Sequence, residues 1–202
     1  MTAKMALSTC GMAVAALLLT GLGTSRPAQA YALEGPIWGT HKANFSYVVP
    51  GTHRVSFSSA LKQAMADWNV TSGFKYVPID RSSAPCDMSG PNGAAMGATA
   101  CGQAFGSGTL AITFYTYTSA KHFTHAGTVF NSNVNFSVYS GALKPTTTDF
   151  RRVAVHELGH ALGMAHENNS SIPAIMAPTV SKIEKPQPDD VRGVRAMYGL
   201  PN

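Results

Sequence analysis

The chain has 202 residues, 45% hydrophobic and 12% charged, with a formal net charge of +5. That is enough apolar material for one domain with its own core, and the charged fraction is about half the ~25% of an average globular protein. The Lys and Arg residues are dispersed rather than run together, which argues against a nucleic-acid-binding role.

The first thirty residues read as a targeting segment. Lys4 gives a positive start, Gly11 to Leu19 a short apolar run, and Ala28-Gln29-Ala30 a small-x-small cleavage site. The apolar run is too short to cross a bilayer. The pattern predicts a secretory signal peptide over 1–30, cut between Ala30 and Tyr31; a retained anchor is the alternative. Cys10 precedes most of the apolar run and is badly placed for a lipid anchor. Residues 31–202 are then expected to form a single exported domain, extracellular or periplasmic, without membrane contact after cleavage. That domain keeps two cysteines, Cys86 and Cys101. An even pair in an exported chain predicts a disulfide, with two free thiols as the alternative.

Tyr31 to Gly39 begins extended, with Trp38 as a core anchor. Asn44 to Val49 reads as a strand, stopped by Pro50-Gly51. From Val55 to Asn69 the pattern is helical, because Leu61, Ala64, Met65 and Trp68 recur at helical spacing. Phe74 to Ile79 is a second strand. Ser82 to Gly108 is dense in Gly, Ala, Ser and Pro and reads as a long surface loop pinned by the cysteine pair. Leu110 to Thr118, rich in β-branched and aromatic residues, is a strand. Another lies within Thr128 to Val138, around Val134-Asn135-Phe136. Between them, His122 and His125 have no Asp or Cys nearby to complete a second metal site and read as incidental surface histidines.

A helix capped by Thr147 or Thr148, with Asp149 at its positive end, follows. Phe150, Val153, Ala154, Leu158, Ala161 and Leu162 supply its buried face. It carries the stretch His156-Glu157-Leu158-Gly159-His160-Ala161-Leu162-Gly163-Met164-Ala165-His166. Residues four apart lie one turn apart on one helix face, so His156 and His160 can grip one ion. Gly163 suits the left-handed backbone of a helix stop. The reversed chain can then bring His166 round as a third ligand. Three imidazoles with one open position describe catalytic rather than structural zinc, and Glu157 stands where a general base for a metal-activated water belongs. The alternative is an amphipathic core helix with three incidental histidines. Further on, Met176 sits in an apolar Ile-Met-Ala-Pro turn, where packing is the simplest reading. A last helix runs from about Pro188 to Tyr198. Asp189 and Asp190 stand in its first turn, Val191, Val194, Met197 and Tyr198 make its apolar stripe, and Gly199 stops it.

The stretch His156 to His166 matches the metzincin pattern. Together with Gln187 to Gly199, which reads as D-D-x-x-G-x-x-x-x-Y-G around Asp189, Asp190, Gly193, Tyr198 and Gly199, it resembles the matrixins, the branch that includes matrix metalloproteinases. A fainter likeness extends over Tyr31, Leu33, Trp38, Tyr47, Ala64 and Trp68. The resemblance implies an α+β fold: a twisted, mostly parallel five-stranded mixed sheet with three helices and a cleft. It implies one catalytic Zn²⁺, a Met-turn residue in Met176 under the three ligands, and Pro178 in the wall of the pocket for the side chain after the scissile bond. It also places the amino group of a processed Tyr31 beside Asp189, and Asp190 against the Met-turn backbone. The family's cysteine switch and H-G-D zinc motif are absent from the sequence, so latency through a propeptide is not expected, and calcium and a second zinc are unsupported. Glu167 follows the last histidine as in astacins, but no Tyr follows Met176.

The expected function is a secreted, monomeric zinc endopeptidase that binds a peptide or protein substrate extended along a sheet edge. The reading from another class is a secreted binding or adhesion protein that keeps a zinc-stabilised fold without turnover. Intact Glu157 favours the enzyme.

Overall fold

The structure, a computed structural model, describes residues 31–201; the signal peptide expected over 1–30 lies outside them. In chain order the elements are β1 (Lys42–Ser46), α1 (Arg54–Asn69), β2 (Lys75–Ile79), β3 (Gly93–Gly97), β4 (Ala111–Tyr117), β5 (Phe123–Asn131), the two-residue β6 (Phe136–Ser137) and β7 (Thr148–Asp149), α2 (Phe150–Leu162) and α3 (Pro188–Tyr198). The main sheet has the order β2-β1-β3-β5-β4. All its pairs are parallel except β4 with β5. This is the α+β fold with a five-stranded, mostly parallel sheet that the resemblance to the matrixins implied.

The helix of the first half forms where its apolar spacing predicts. Leu61, Ala64, Met65 and Trp68 of α1 are all buried, and the Phe57 ring stacks on Phe150 of α2 at 4.3 Å between centroids. The core lies between the sheet and these helices and takes in Phe45, Tyr76, Phe130, Leu158 and Leu162. The two edges of the sheet differ. β2 carries Lys75 and Pro78, the residue types that blunt an edge. β4, Ala-Ile-Thr-Phe-Tyr-Thr-Tyr, has neither a charge nor a proline.

Three expectations need correction. The segment 82–108 is not all loop: Gly-Ala-Ala-Met-Gly forms β3, an interior strand between β1 and β5. Its glycines are there for clearance. Gly93 pairs with Gly127 of β5; a Cβ on the first would strike Ser83 and Ser46, and on the second Pro85. The bare backbone lets the segment 83–85 lie flat across the sheet. The expected disulfide, Cys86–Cys101, spans 5.3 Å between Cα atoms and brackets this strand.

Second, the strand expected within 128–138 around Val134-Asn135-Phe136 is only the two-residue β6 there, and the long strand lies earlier, from Phe123 to Asn131. The Asn131 side chain accepts the Asn133 backbone N–H at 3.0 Å and turns the chain there. Third, His125 is neither in a loop nor at the surface. It lies on β5, 1% exposed, with its ring nitrogens 3.2 Å from the Gly90 carbonyl and 3.3 Å from the Pro85 carbonyl. His122 is exposed, as expected.

Arg152 ties the start of α2 to the later chain. Its side chain is 2% exposed, and Nη2 donates to the Gly141 carbonyl at 2.5 Å and to Glu184 Oε1 at 2.6 Å. The hydrogen bond from Arg152 holds Glu184 below its usual carboxylate range. A depressed folded-state pKa stabilises the fold above the unfolded-state value and loses that effect as pH falls through the folded value. Glu184→Gln is therefore expected to lower the melting temperature most at neutral pH. The gap to the parent should close as pH drops below about 4. A gap that stays constant from pH 7 to pH 3 would show that charge pairing is not its cause.

Candidate metal centre

The site is built on α2. Asp149 itself, rather than Thr147 or Thr148, caps the helix, its carboxylate accepting the backbone N–H groups of Arg151 and Arg152. Its two oxygens satisfy donors that a helix N-terminus leaves unpaired. At the other end Gly163 adopts φ 106°, which a side chain would strain, and a Cβ there would also strike the Pro36 carbonyl. The reversal at Gly163 carries the chain back over the helix end, and His166 returns to His156 and His160.

The three Nε2 atoms form a triangle with every edge 3.2 Å. A tetrahedral ion with nitrogen ligands at ~2.0–2.1 Å requires edges of about 3.3 Å, so the triangle fits zinc. The ring tautomers fit as well. His156 Nδ1 donates to the Ile175 carbonyl and His160 Nδ1 to the Met164 carbonyl, each at 2.8 Å. A neutral imidazole has one N–H, so those bonds leave the Nε2 lone pairs of both rings facing one another. Such an arrangement is repulsive until a cation stands between them. Burial keeps the rings neutral, pushing His156 down to about 4, and lowering His160 and His166 as well.

Met176 is buried, 1% exposed. A Cβ on Gly159 would strike its Sδ and approach Trp68 at 3.0 Å, so the glycine in the helix is what lets the methionine pack closely against α2. Asp190 accepts the Ile175 backbone N–H at 2.8 Å and that of Met176 at 3.1 Å. The Gln187 side chain and Asp190 complete a reciprocal capping box at the start of α3. One short path therefore runs from α3 through Asp190 and the Ile175 peptide to His156.

Glu157 is buried beside the ligands, and burial raises its carboxyl to about 7. Thr113 of β4 donates from Oγ1 to Glu157 Oε2 at 2.8 Å. No described residue hydrogen-bonds Oε1. A cavity of about 20 Å³ adjoins His156, lined in part by Arg152, Val153, Ala177, Thr179 and Val180. Pro178 lies between two of these lining residues. Sequence reasoning missed Arg152 and Thr113 altogether. Neither had a local signal, since each acquires its role from contacts with residues distant in the chain.

Three histidines able to hold one metal ion, two of them on a helix that also carries a buried carboxylate, are a donor set suited to metal-assisted hydrolysis. A family model described as Matrixin matches residues 38–199. Human neutrophil collagenase is 26% identical over 187 residues, which cover 82% of this chain and 34% of that protein. Human matrix metalloproteinase-15 is 49% identical over 55 residues, 25% of this chain and 8% of its own length. Macrophage metalloelastase of Oryctolagus cuniculus is 47% identical over 58 residues, 27% and 12% of the two chains. The chain belongs to the matrixins, a family of zinc metalloendopeptidases. It spans between 8% and 34% of the length of these relatives.

Gly159→Ala is expected to destabilise the domain by roughly 1–3 kcal/mol, the usual cost of an added methyl in a filled core. Thermal denaturation of the zinc-loaded protein measures this. An unchanged melting temperature would mean that Met176 does not need the clearance.

Proposed function

We propose that this chain is a secreted zinc endopeptidase in which His156, His160 and His166 hold the ion and Glu157 is the general base. The observation that carries the reading is the triangle of Nε2 atoms, 3.2 Å on each edge, two of them from the helix that also carries the buried carboxylate and the third from the returning segment after Gly163. Zinc held there supplies Lewis-acid chemistry, acidifying water and polarising a peptide carbonyl. Glu157 takes a proton from the attacking water at Oε1 as the oxygen–carbon bond forms. It returns that proton to the amine nitrogen as the carbon–nitrogen bond breaks. A carboxyl poised near neutrality serves both halves of that exchange. The substrate lies extended along the uncharged edge of β4, pairing through its backbone. Its next side chain enters the cavity beside His156, with Pro178 in the wall. Met176 acts as the Met-turn floor. The Cys86–Cys101 bridge supports an oxidising, exported setting.

Removal of residues 1–30 as a signal peptide has a further role in this reading. Tyr31 packs on α3, since a Cβ on Gly193 would come within 3.0 Å of its Cβ. One turn earlier, Asp189 is buried, and no described residue hydrogen-bonds its Oδ2. The amino group freed by cleavage before Tyr31 is the partner we assign to that oxygen.

Glu157→Ala is expected to retain zinc, measured by metal analysis, and to lose nearly all cleavage of a peptide library. Undiminished cleavage would reject the base. A mature chain extended by two residues before Tyr31 is expected to be less active and to melt lower; full activity at unchanged stability would reject the Asp189 pairing.

A further inference from the structure

The edge strand β4 and the general base are joined by a pair of hydroxyls. Thr113 Oγ1 lies 2.8 Å from Glu157 Oε2 and 2.8 Å from Thr128 Oγ1 on the neighbouring β5. The Glu157 carbonyl is a weaker second acceptor at 3.3 Å. Both threonines are buried, Thr113 at 8% and Thr128 at 1% exposure, and they are register partners in the antiparallel β4–β5 pair.

Proton counting gives this contact a direction. An ionised carboxylate accepts only, and a threonine has one hydroxyl proton. For Thr113 to donate to Glu157, its contact with Thr128 must be one in which Thr128 donates. The two hydroxyls then form a directed chain, Thr128 to Thr113 to Glu157, anchored in the sheet. We propose that Thr113, held by Thr128, is a positioning residue for the general base. It fixes Oε2 and so leaves Oε1 as the oxygen that faces the attacking water. The contact also locks the carboxylate to the edge strand of the sheet, so if substrate pairs along that edge as proposed, the base and the substrate-bearing backbone share one reference frame. Misplacing a reacting group by about 1 Å can cost two orders of magnitude in rate, which is why such a tether matters. The inference rests on Glu157 being the base.

Thr113→Val keeps shape and removes the donor; Thr113→Ser keeps the donor and removes a methyl. With zinc content and melting temperature measured for each protein, Thr113→Val is expected to lower kcat about tenfold, as loss of such supporting contacts typically does. KM and zinc content should stay unchanged. Thr113→Ser is expected to keep kcat within about threefold of the parent. Thr128→Val, which leaves the Thr113 hydroxyl without its fixed donor, should fall between them, and it carries the test if Thr113→Val does not fold. A kcat for Thr113→Val or Thr128→Val within twofold of the parent would overturn the proposal, as would a serine variant as impaired as the valine one. Glu157→Ala in the same series separates the two claims. If it is inactive while the threonine variants are normal, only the tether fails. If it is fully active, the base assignment fails and the tether with it.

Discussion

Four aromatic side chains hold α2 in place, and the rest of the site depends on that grip. Trp68 Nε1 donates to the Val155 carbonyl at 2.8 Å, Tyr76 to that of Leu158 at 2.6 Å, Trp38 to Ala161 at 2.8 Å and Tyr198 to Leu162 at 2.6 Å. The donors come from four separate places: the N-terminal segment, α1, β2 and α3. Two of the acceptors lie in the last turn, where carbonyls lack helical partners. The other two use a second lone pair on carbonyls within the helix. Each such bond contributes on the order of 1 kcal/mol net. Their larger effect is orientational, since four bonds to one face, spaced from Val155 to Leu162, fix both the rotation and the axial position of the helix that carries His156, Glu157 and His160.

On that fixed helix, the histidine rings are oriented by backbone carbonyls rather than by acidic side chains. Ile175 and Met164 supply those carbonyls, and Asp190 fixes the first by holding the Ile175 N–H. The preorganisation has a cost, because it aims lone pairs at one another before any ion arrives. Local stability is thus traded for a metal site that needs little rearrangement on loading. Arg152, packed between the Asp149 cap and the cavity beside His156 and paired with Glu184, extends the same ordering to the pocket rim.

The ligand set and both flanking helices were legible because their signals are local: helical spacing for Leu61 to Trp68, the i to i+4 pair of His156 and His160, a glycine at the reversal. The parts that escaped are those whose physics is non-local. β3 has no β-branched residue and is a strand only because parallel partners flank it on both sides. His125 looked polar and exposed until the disulfide-linked segment folded over it. β5 shows no alternation because that segment covers one face while α2 faces the other, where Phe130 meets Phe150 at 4.4 Å. Thr113 is an ordinary strand threonine until the topology sets it against Glu157. The helix cap was misplaced by one or two residues, since Thr147, Thr148 and Asp149 all have the chemistry and only geometry chooses among them.

The unequal edges of the sheet bear on what can be digested. Lys75 and Pro78 close one side, while the outer amides of β4, which pair with no described strand, are the place the proposed binding mode gives to an incoming strand. Pairing of that kind is indifferent to sequence and demanding about conformation: the guest must arrive extended, with its own backbone groups not already engaged. A tightly folded protein offers few such stretches. On the proposed binding mode, susceptibility to this fold tracks how readily a target frays or presents a slack loop, and side-chain preference operates only among segments that have already come undone.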